Sequence, residues 1–89
     1  MIEITFDDSF KKSYRKRFQG REDLERKFRI KLENFRDNPF DPPLKTHKLS
    51  GKLKDLWSFS IEYDNRVIFY FTDEGKAAFI DIGNHDRVY

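Results

Sequence analysis

From Ile2 to Phe6 apolar and polar residues alternate, with Ile2, Ile4 and Phe6 set against Glu3 and Thr5, which is the period of a short strand. The period changes at Asp7 and Asp8. Either aspartate suits a helix N-cap, and Phe10, Tyr14 and Phe18 then recur at helical spacing until Gly20 interrupts them. A second stripe, Leu24, Phe28, Leu32 and Phe35, has charged residues on the remaining faces and predicts an amphipathic helix from about Glu22 to Arg36. The segment Asp37 to Pro43 ends it, because Pro39, Pro42 and Pro43 lack the N–H a helix needs and push the residues before them toward extended backbone. Two consecutive helices with a short link form a hairpin, and one seam remains for a sheet.

After the prolines, Leu44 to Asp55 is basic, with a Ser50-Gly51 turn in its middle, and beyond it the pattern is all strand. Leu56 to Tyr63 alternates Trp57, Phe59, Ile61 and Tyr63 against Ser58, Ser60 and Glu62. Asp64-Asn65 reads as a two-residue hairpin turn, Arg66 to Phe71 as the returning strand, Asp73 to Gly75 as the next turn and Lys76 to Gly83 as the last strand. That turn places Tyr63 opposite Arg66, Ile61 opposite Ile68 and Phe59 opposite Tyr70, and a one-residue change in its length exchanges the two faces. Trp57, with apolar partners on its face, reads as core.

The predicted order is β-α-α-β-β-β. It describes an α+β domain over residues 1–89, with the helical hairpin packed on one face of a mainly antiparallel four-stranded sheet. Two helices cannot cover both faces of such a sheet, so the other face, edged by lysines, is expected to stay partly open and bind something.

Composition sharpens this. A chain of 89 residues buries a thin core, and ten Phe, four Tyr and one Trp compensate by their size. The chain has no cysteine, which excludes disulfides, thiolate zinc sites and a cysteine nucleophile. The two histidines and the carboxylates lack metal-ligand spacing, so neither a metal nor another cofactor is expected. No apolar run approaches the ~20 residues of a membrane span, and the N-terminus lacks a signal-peptide core; no membrane partner and a cytoplasmic location are expected. The net charge of +2 is unevenly spread. Ser9 to Lys31 carries ten Lys or Arg against three acids, and Lys45 to Lys54 carries four lysines and no acid. Such zones point to a polyanion.

Four motifs carry a resemblance. They are His47-x-Leu49-x-Gly51, Leu56-Trp57, Arg66-Val67-Ile68-Phe69 and Gly83-x-His85-x-x-x-Tyr89. In this order and with these gaps they resemble the RelE/ParE superfamily of bacterial type II toxins, and within it the YafQ-like and RelE/StbE branch. The resemblance implies a metal-independent, ribosome-dependent mRNA endonuclease in which a ribose 2′-OH attacks the adjacent phosphate. It implies as partners the ribosome and its mRNA, a small acidic antitoxin encoded by the adjacent gene, and operator DNA reached only through the antitoxin complex. By position, His47, Asp64, His85 and Tyr89 match residues implicated in the YafQ-like branch, and Arg66 matches the recurrent RelE-family arginine.

That chemistry needs a base for the 2′-OH, positive charge for the phosphorane and an acid for the departing 5′-oxygen. His47 and His85 supply imidazoles, Arg66 a permanently charged fork, and Lys45, Lys48, Lys52 and Lys54 a grip on the RNA backbone. Tyr89 offers a ring for base stacking, and Val88 would dock the tail. Asp64 also has the plain reading of a turn former. The chain departs from the branch at Ser60, where a histidine is usual, at Asp81, where an arginine is usual, and at Asn65, where a tryptophan is usual; many relatives are also basic at Ser58. Two other functions therefore stand beside the nuclease: a ParE-like inhibitor of DNA gyrase, and a catalytically degenerate co-repressor that only binds antitoxin.

Overall fold

The computed structural model describes residues 1–51 and 55–84. The first alternating segment forms β1 (Ile4–Phe6), and the two helical stripes form α1 (Asp8–Phe18) and α2 (Glu22–Asp37). Gly20 turns the chain between the helices at φ +72°, a left-handed conformation that a Cβ disfavours. Asp7 occupies the N-cap of α1 in extended backbone, although its side chain caps nothing. A 3₁₀ turn (Pro42–Leu44) follows the prolines, and then come β2 (His47–Lys48), β3 (Trp57–Ser60), β4 (Arg66–Phe71) and β5 (Ala77–Gly83).

The sheet has five strands rather than the expected four, in the order β1-β5-β4-β3-β2. The added strand is β2, two residues long, which the basic composition of Leu44 to Asp55 concealed. It pairs antiparallel with β3, His47 opposite Ser58 and Lys48 opposite Trp57. The other end is parallel: β1 lies beside β5, the chain having passed through both helices and the three other strands between them.

One face of the sheet packs on the helical hairpin through a core of aromatic rings. Phe35 of α2 is fully buried; it stacks on Phe59 at 4.9 Å and meets Phe69 and Phe79 edge-on at 5.0 and 5.3 Å. At the far end of α2, Phe10 and Phe28 pair at 6.0 Å, with Tyr14 and Phe18 beside them. Each ring contributes by the water it sheds, roughly 1.5–3 kcal/mol, and by edge-to-face contacts worth about 0.5–1.5 kcal/mol per pair. Trp57 is partly buried against this core and packs with Phe40 and Phe71, in keeping with its apolar reading.

The β3–β4 turn differs from the expected one. Glu62 and Asn65 exchange both N–H···O=C bonds at 3.3 Å, so the two turn residues are Tyr63 and Asp64 rather than Asp64 and Asn65. Ile61 also donates to the Asn65 carbonyl, at 2.9 Å, so two residues of one arm face one of the other, as in a β-bulge. Arg66 consequently lies opposite Ser60, Val67 opposite Phe59 and Ile68 opposite Ser58. The shift is an odd number of residues and exchanges the faces: Arg66 shares the face of the serines, and Phe59, Val67 and Phe69 share the core.

The second face is not left open along its whole length. Leu49 and Leu56, which flank the β2–β3 connection, close over Ile68 and Ile80 to form a small second apolar cluster. Ile80 reaches it through an irregularity in the β4–β5 ladder: the pairing steps from Ile68 opposite Asp81 to Phe69 opposite Phe79, which leaves Ile80 as the extra residue.

Tyr14 ties the two helices together, its hydroxyl donating to Glu25 Oε1 at 2.9 Å. Burial first, and then that bond, push its pKa above the usual tyrosine value. The folded chain thus keeps a proton that the unfolded chain releases above about pH 10, and this part of the stability is complete below about pH 10 and is lost as pH climbs through the raised folded value. Urea unfolding followed from about pH 8 to about pH 11 is expected to show a decline in stability that is shallower in Tyr14→Phe than in the parent chain.

Candidate active site on the far face of the sheet

His47 is positioned by the turn that precedes it. Leu44 is fully buried and pins the 3₁₀ turn, and Lys45 follows in left-handed backbone at φ 51°. The Lys45 carbonyl lies 2.9 Å from His47 Nδ1. A carbonyl only accepts, so Nδ1 carries the proton of that bond, and in the neutral ring Nε2 is left with its lone pair. Nε2 lies 3.5 Å from Ser58 Oγ, directly across the strand pair. The ring is half-buried at the sheet margin, where water and a ligand can both reach it.

Arg66 is on the same face. The cross-strand row Ser60–Arg66–Gly83 runs beside the row His47–Ser58–Ile68. Two strand spacings and one pleat repeat separate the two residues, roughly 10 Å across the sheet and roughly 7 Å along it. Arg66 is only 7% exposed, so its guanidinium is held by the fold rather than free in solvent. Ser58 and Ser60 are buried beside it, and Ser60 Oγ donates to the Glu62 carbonyl at 3.0 Å, which makes it a brace for the turn.

The remaining predicted residues divide. Asp64 is exposed in the β3–β4 turn, as a turn former would be. Lys45 is exposed next to His47, whereas Lys48, one residue further along β2, belongs to the opposite side of the strand pair. Lys52, Lys54, His85 and Tyr89, together with the docking of the tail through Val88, lie outside the described residues.

Asp64 also lines a cavity of about 730 Å³ at the end of the sheet where β5 runs out. Its other walls are Arg17 and Arg21 on either side of the α1–α2 turn, Leu24 of α2, Glu62, Tyr63 and Asn65 of the hairpin, and Asn84, which precedes His85. Asn65, in the position where the YafQ-like branch has tryptophan, is a buried strut: Nδ2 donates to Glu62 Oε2 at 3.0 Å and Oδ1 accepts from Arg17 at 3.4 Å. Lys27 reaches the other Glu62 oxygen at 3.3 Å. The Arg21 fork binds Asp23 and holds that carboxyl below the usual aspartate range. Asp81, where an arginine is usual, accepts from Ser13 of α1 and from its neighbour's backbone N–H, and so serves the α1–β5 contact. Among the described residues no three or more His, Asp or Glu side chains are grouped to hold a metal ion, and no helix is long and apolar enough to cross a membrane.

Arg17, Arg21, Tyr63 and Asn84 were not singled out by the sequence pattern. The arginines belong to the basic helical zone, and nothing in their spacing reveals that a hairpin turn distant in the chain closes over them.

The family model described as a bacterial toxin of type II toxin–antitoxin systems, YafQ, matches residues 2–89. No curated protein matches the chain at a significant level. Among solved structures the chain is similar to YafQ from E. coli strain BL21(DE3), with 22% identity, 100% of this chain and 99% of that chain covered, and a TM-score of 0.76. It is similar to the E. coli DinJ–YafQ complex at 24% identity, 100% and 99% coverage and a TM-score of 0.71. A YoeB/ParE toxin from Agrobacterium tumefaciens matches at 19% identity, 94% and 99% coverage and a TM-score of 0.73. At these identities the solved structures establish the fold.

Proposed function

Because the chain belongs to the YafQ family of bacterial toxins from type II toxin–antitoxin systems, we propose that it is an mRNA endonuclease that works on the ribosome, with His47 as its base. The observation that carries this reading is the His47 ring, oriented by the Lys45 carbonyl at 2.9 Å so that Nε2 turns toward the face that also holds Arg66. Nε2 takes the proton of a ribose 2′-OH; the 2′-oxygen attacks the adjacent phosphorus; the bond to the 5′-oxygen breaks, and that oxygen leaves with a proton supplied by an acid, the role we give to His85. The products are a 2′,3′-cyclic phosphate and a 5′-hydroxyl. Arg66 balances the charge that builds on the phosphorane, and a rigid buried donor does so without reorganising.

The 730 Å³ cavity offers a neighbouring nucleotide the Arg17 and Arg21 guanidiniums for phosphate, the Asn84 amide for a base edge and an exposed Tyr63 ring for stacking. Lys45 and, by sequence, Lys52 and Lys54 extend the basic track. Ribosome, mRNA, a cytoplasmic setting and an antitoxin as silencing partner all belong to this proposal.

Purified protein added to translating ribosomes, with primer extension along the message, tests it. Discrete cuts that disappear in the His47→Ala variant are expected. Intact message together with blocked supercoiling by DNA gyrase would replace this reading with the gyrase inhibitor, and intact message without toxicity would replace it with the co-repressor. Arg66→Lys keeps the charge and loses the fork; cleavage is expected to fall by about 10²-fold, while urea unfolding registers any loss of stability separately.

A further inference from the structure

The β3–β4 hairpin carries Arg66, yet its turn backbone does little to fix where Arg66 points. Two-residue hairpin turns that match the strand twist need positive φ at one or both central residues, which is why glycine and asparagine favour them. Neither Tyr63 nor Asp64 has a positive φ, and neither is glycine. The register at this turn therefore depends on another hold. A slip of one residue would carry Arg66 from the face of His47 to the aromatic core.

Glu62 supplies that hold with backbone and side chain at once. Its carbonyl accepts from the Asn65 N–H at 3.3 Å and from Ser60 Oγ at 3.0 Å. Its own N–H donates to the Asn65 carbonyl at 3.3 Å, beside the Ile61 N–H at 2.9 Å. Its carboxylate then closes a second bridge between the same two residues, accepting from Asn65 Nδ2 at 3.0 Å. A carboxylate only accepts and a guanidinium only donates, so Glu62 on one side and Arg17 on the other leave the Asn65 amide one orientation. Arg66 is the next residue in the chain, opposite Ser60. Ser60, Asn65 and Arg66 are all buried, whereas Tyr63 and Asp64 at the tip are exposed. The clasp thus lies in the packed part of the hairpin, next to the guanidinium. The ion pair with Lys27 is a poorer account of Glu62, because the Lys27 side chain is 54% exposed and pairs this exposed contribute little.

We propose that Glu62 is a positioning residue, whose carboxylate clasps Asn65 and so aims Arg66 at the phosphate. What Arg66 does there rests on the nuclease reading above; how Arg66 is held rests on the hairpin alone. Glu62 touches no reacting atom. Its loss weakens the charge balance at the phosphorane and leaves the binding of message and ribosome in place.

Single-turnover cleavage on ribosomes loaded with a defined message separates the maximal rate from the protein concentration at half-saturation. Glu62→Ala is expected to lower the maximal rate at least ~10-fold and to leave half-saturation within ~3-fold of the parent. Glu62→Gln keeps an acceptor for Asn65 Nδ2 and is expected to recover most of that rate. Glu62→Ala combined with Arg66→Ala is expected to be no slower than Arg66→Ala alone, because the two residues act as one unit. A role in folding alone would add its cost in the double variant and would show in urea unfolding. The ¹⁵N-labelled chain gives a readout independent of cleavage. Arg66 Nε is buried, and its N–H resonance is expected to be sharp in the parent and in Glu62→Gln but shifted or broadened in Glu62→Ala. An unchanged Arg66 resonance in Glu62→Ala, a loss confined to half-saturation, a glutamine variant as slow as alanine, or additive effects in the double variant would each overturn the proposal. A parent chain that cuts no message while the Arg66 resonance responds as expected rejects the nuclease and keeps the clasp.

Discussion

His47→Ala is expected to abolish message cleavage in a translating extract, by about 10²–10⁴-fold, without unfolding the protein. The side chain is half-buried at the margin of the sheet and makes local contacts, to the Lys45 carbonyl and toward Ser58 Oγ. Its removal opens no core cavity. What it takes away is the lone pair that the Lys45 contact orients, and among the described residues neither Ser58 nor Arg66 on this face replaces it: a hydroxyl is far too weak a base, and a guanidinium offers only donors. His47→Gln is the informative companion. Its amide can keep the contact with the Lys45 carbonyl but takes up no proton, so cleavage is expected to stay as low as in His47→Ala. Cleavage restored to near the parent level in the glutamine variant would show that the ring only positions its surroundings and would move the base elsewhere.

The largest effect on stability is expected at Phe35. Its ring is fully buried, stacked on Phe59 and edge-on to Phe69 and Phe79, so it joins α2 to three strands at once. Phe35→Ala removes that burial and leaves a cavity that neighbouring rings, each packed on the others, cannot fill. A loss of about 3–5 kcal/mol follows. Domains of this size hold a total on the order of 5–10 kcal/mol, so urea unfolding should show a transition at far lower denaturant with an unchanged slope. Phe35→Leu, which keeps much of the volume, should recover a large part of the difference. Equal stability of the alanine variant and the parent would mean that the helical hairpin is not seated on the sheet through this residue.

The two helices were legible because their stripes repeat without interruption: Phe10, Tyr14 and Phe18, then Leu24, Phe28, Leu32 and Phe35, ended by Gly20 and by the prolines. The strands were legible as segments, and the α+β class followed from their order. The pairing was less accessible. At the bulge both the Ile61 and the Glu62 N–H reach the Asn65 carbonyl, a local geometry that alternation cannot encode, yet it moved Arg66 from the aromatic face to the serine face. The short β2 was hidden for a related reason. Two residues carry no period, and His47 and Lys48 become a strand only because β3 offers an unpaired edge.

The order of elements along the chain by itself determined the class of fold, composition set the residue types available for phosphate chemistry, and four short motifs carried the resemblance to the family, since local periodicity and motif spacing are properties of the chain alone. Only the tertiary structure decided which of these groups share a surface. It put His47 and Arg66 on one face and Lys48 on the other, and it closed Leu49 and Leu56 over Ile68 and Ile80. It also folded the Tyr63-Asp64 turn against Arg17 and Arg21 to make a cavity. Such placements depend on the register of distant strands, in which one residue of slip reverses every side chain.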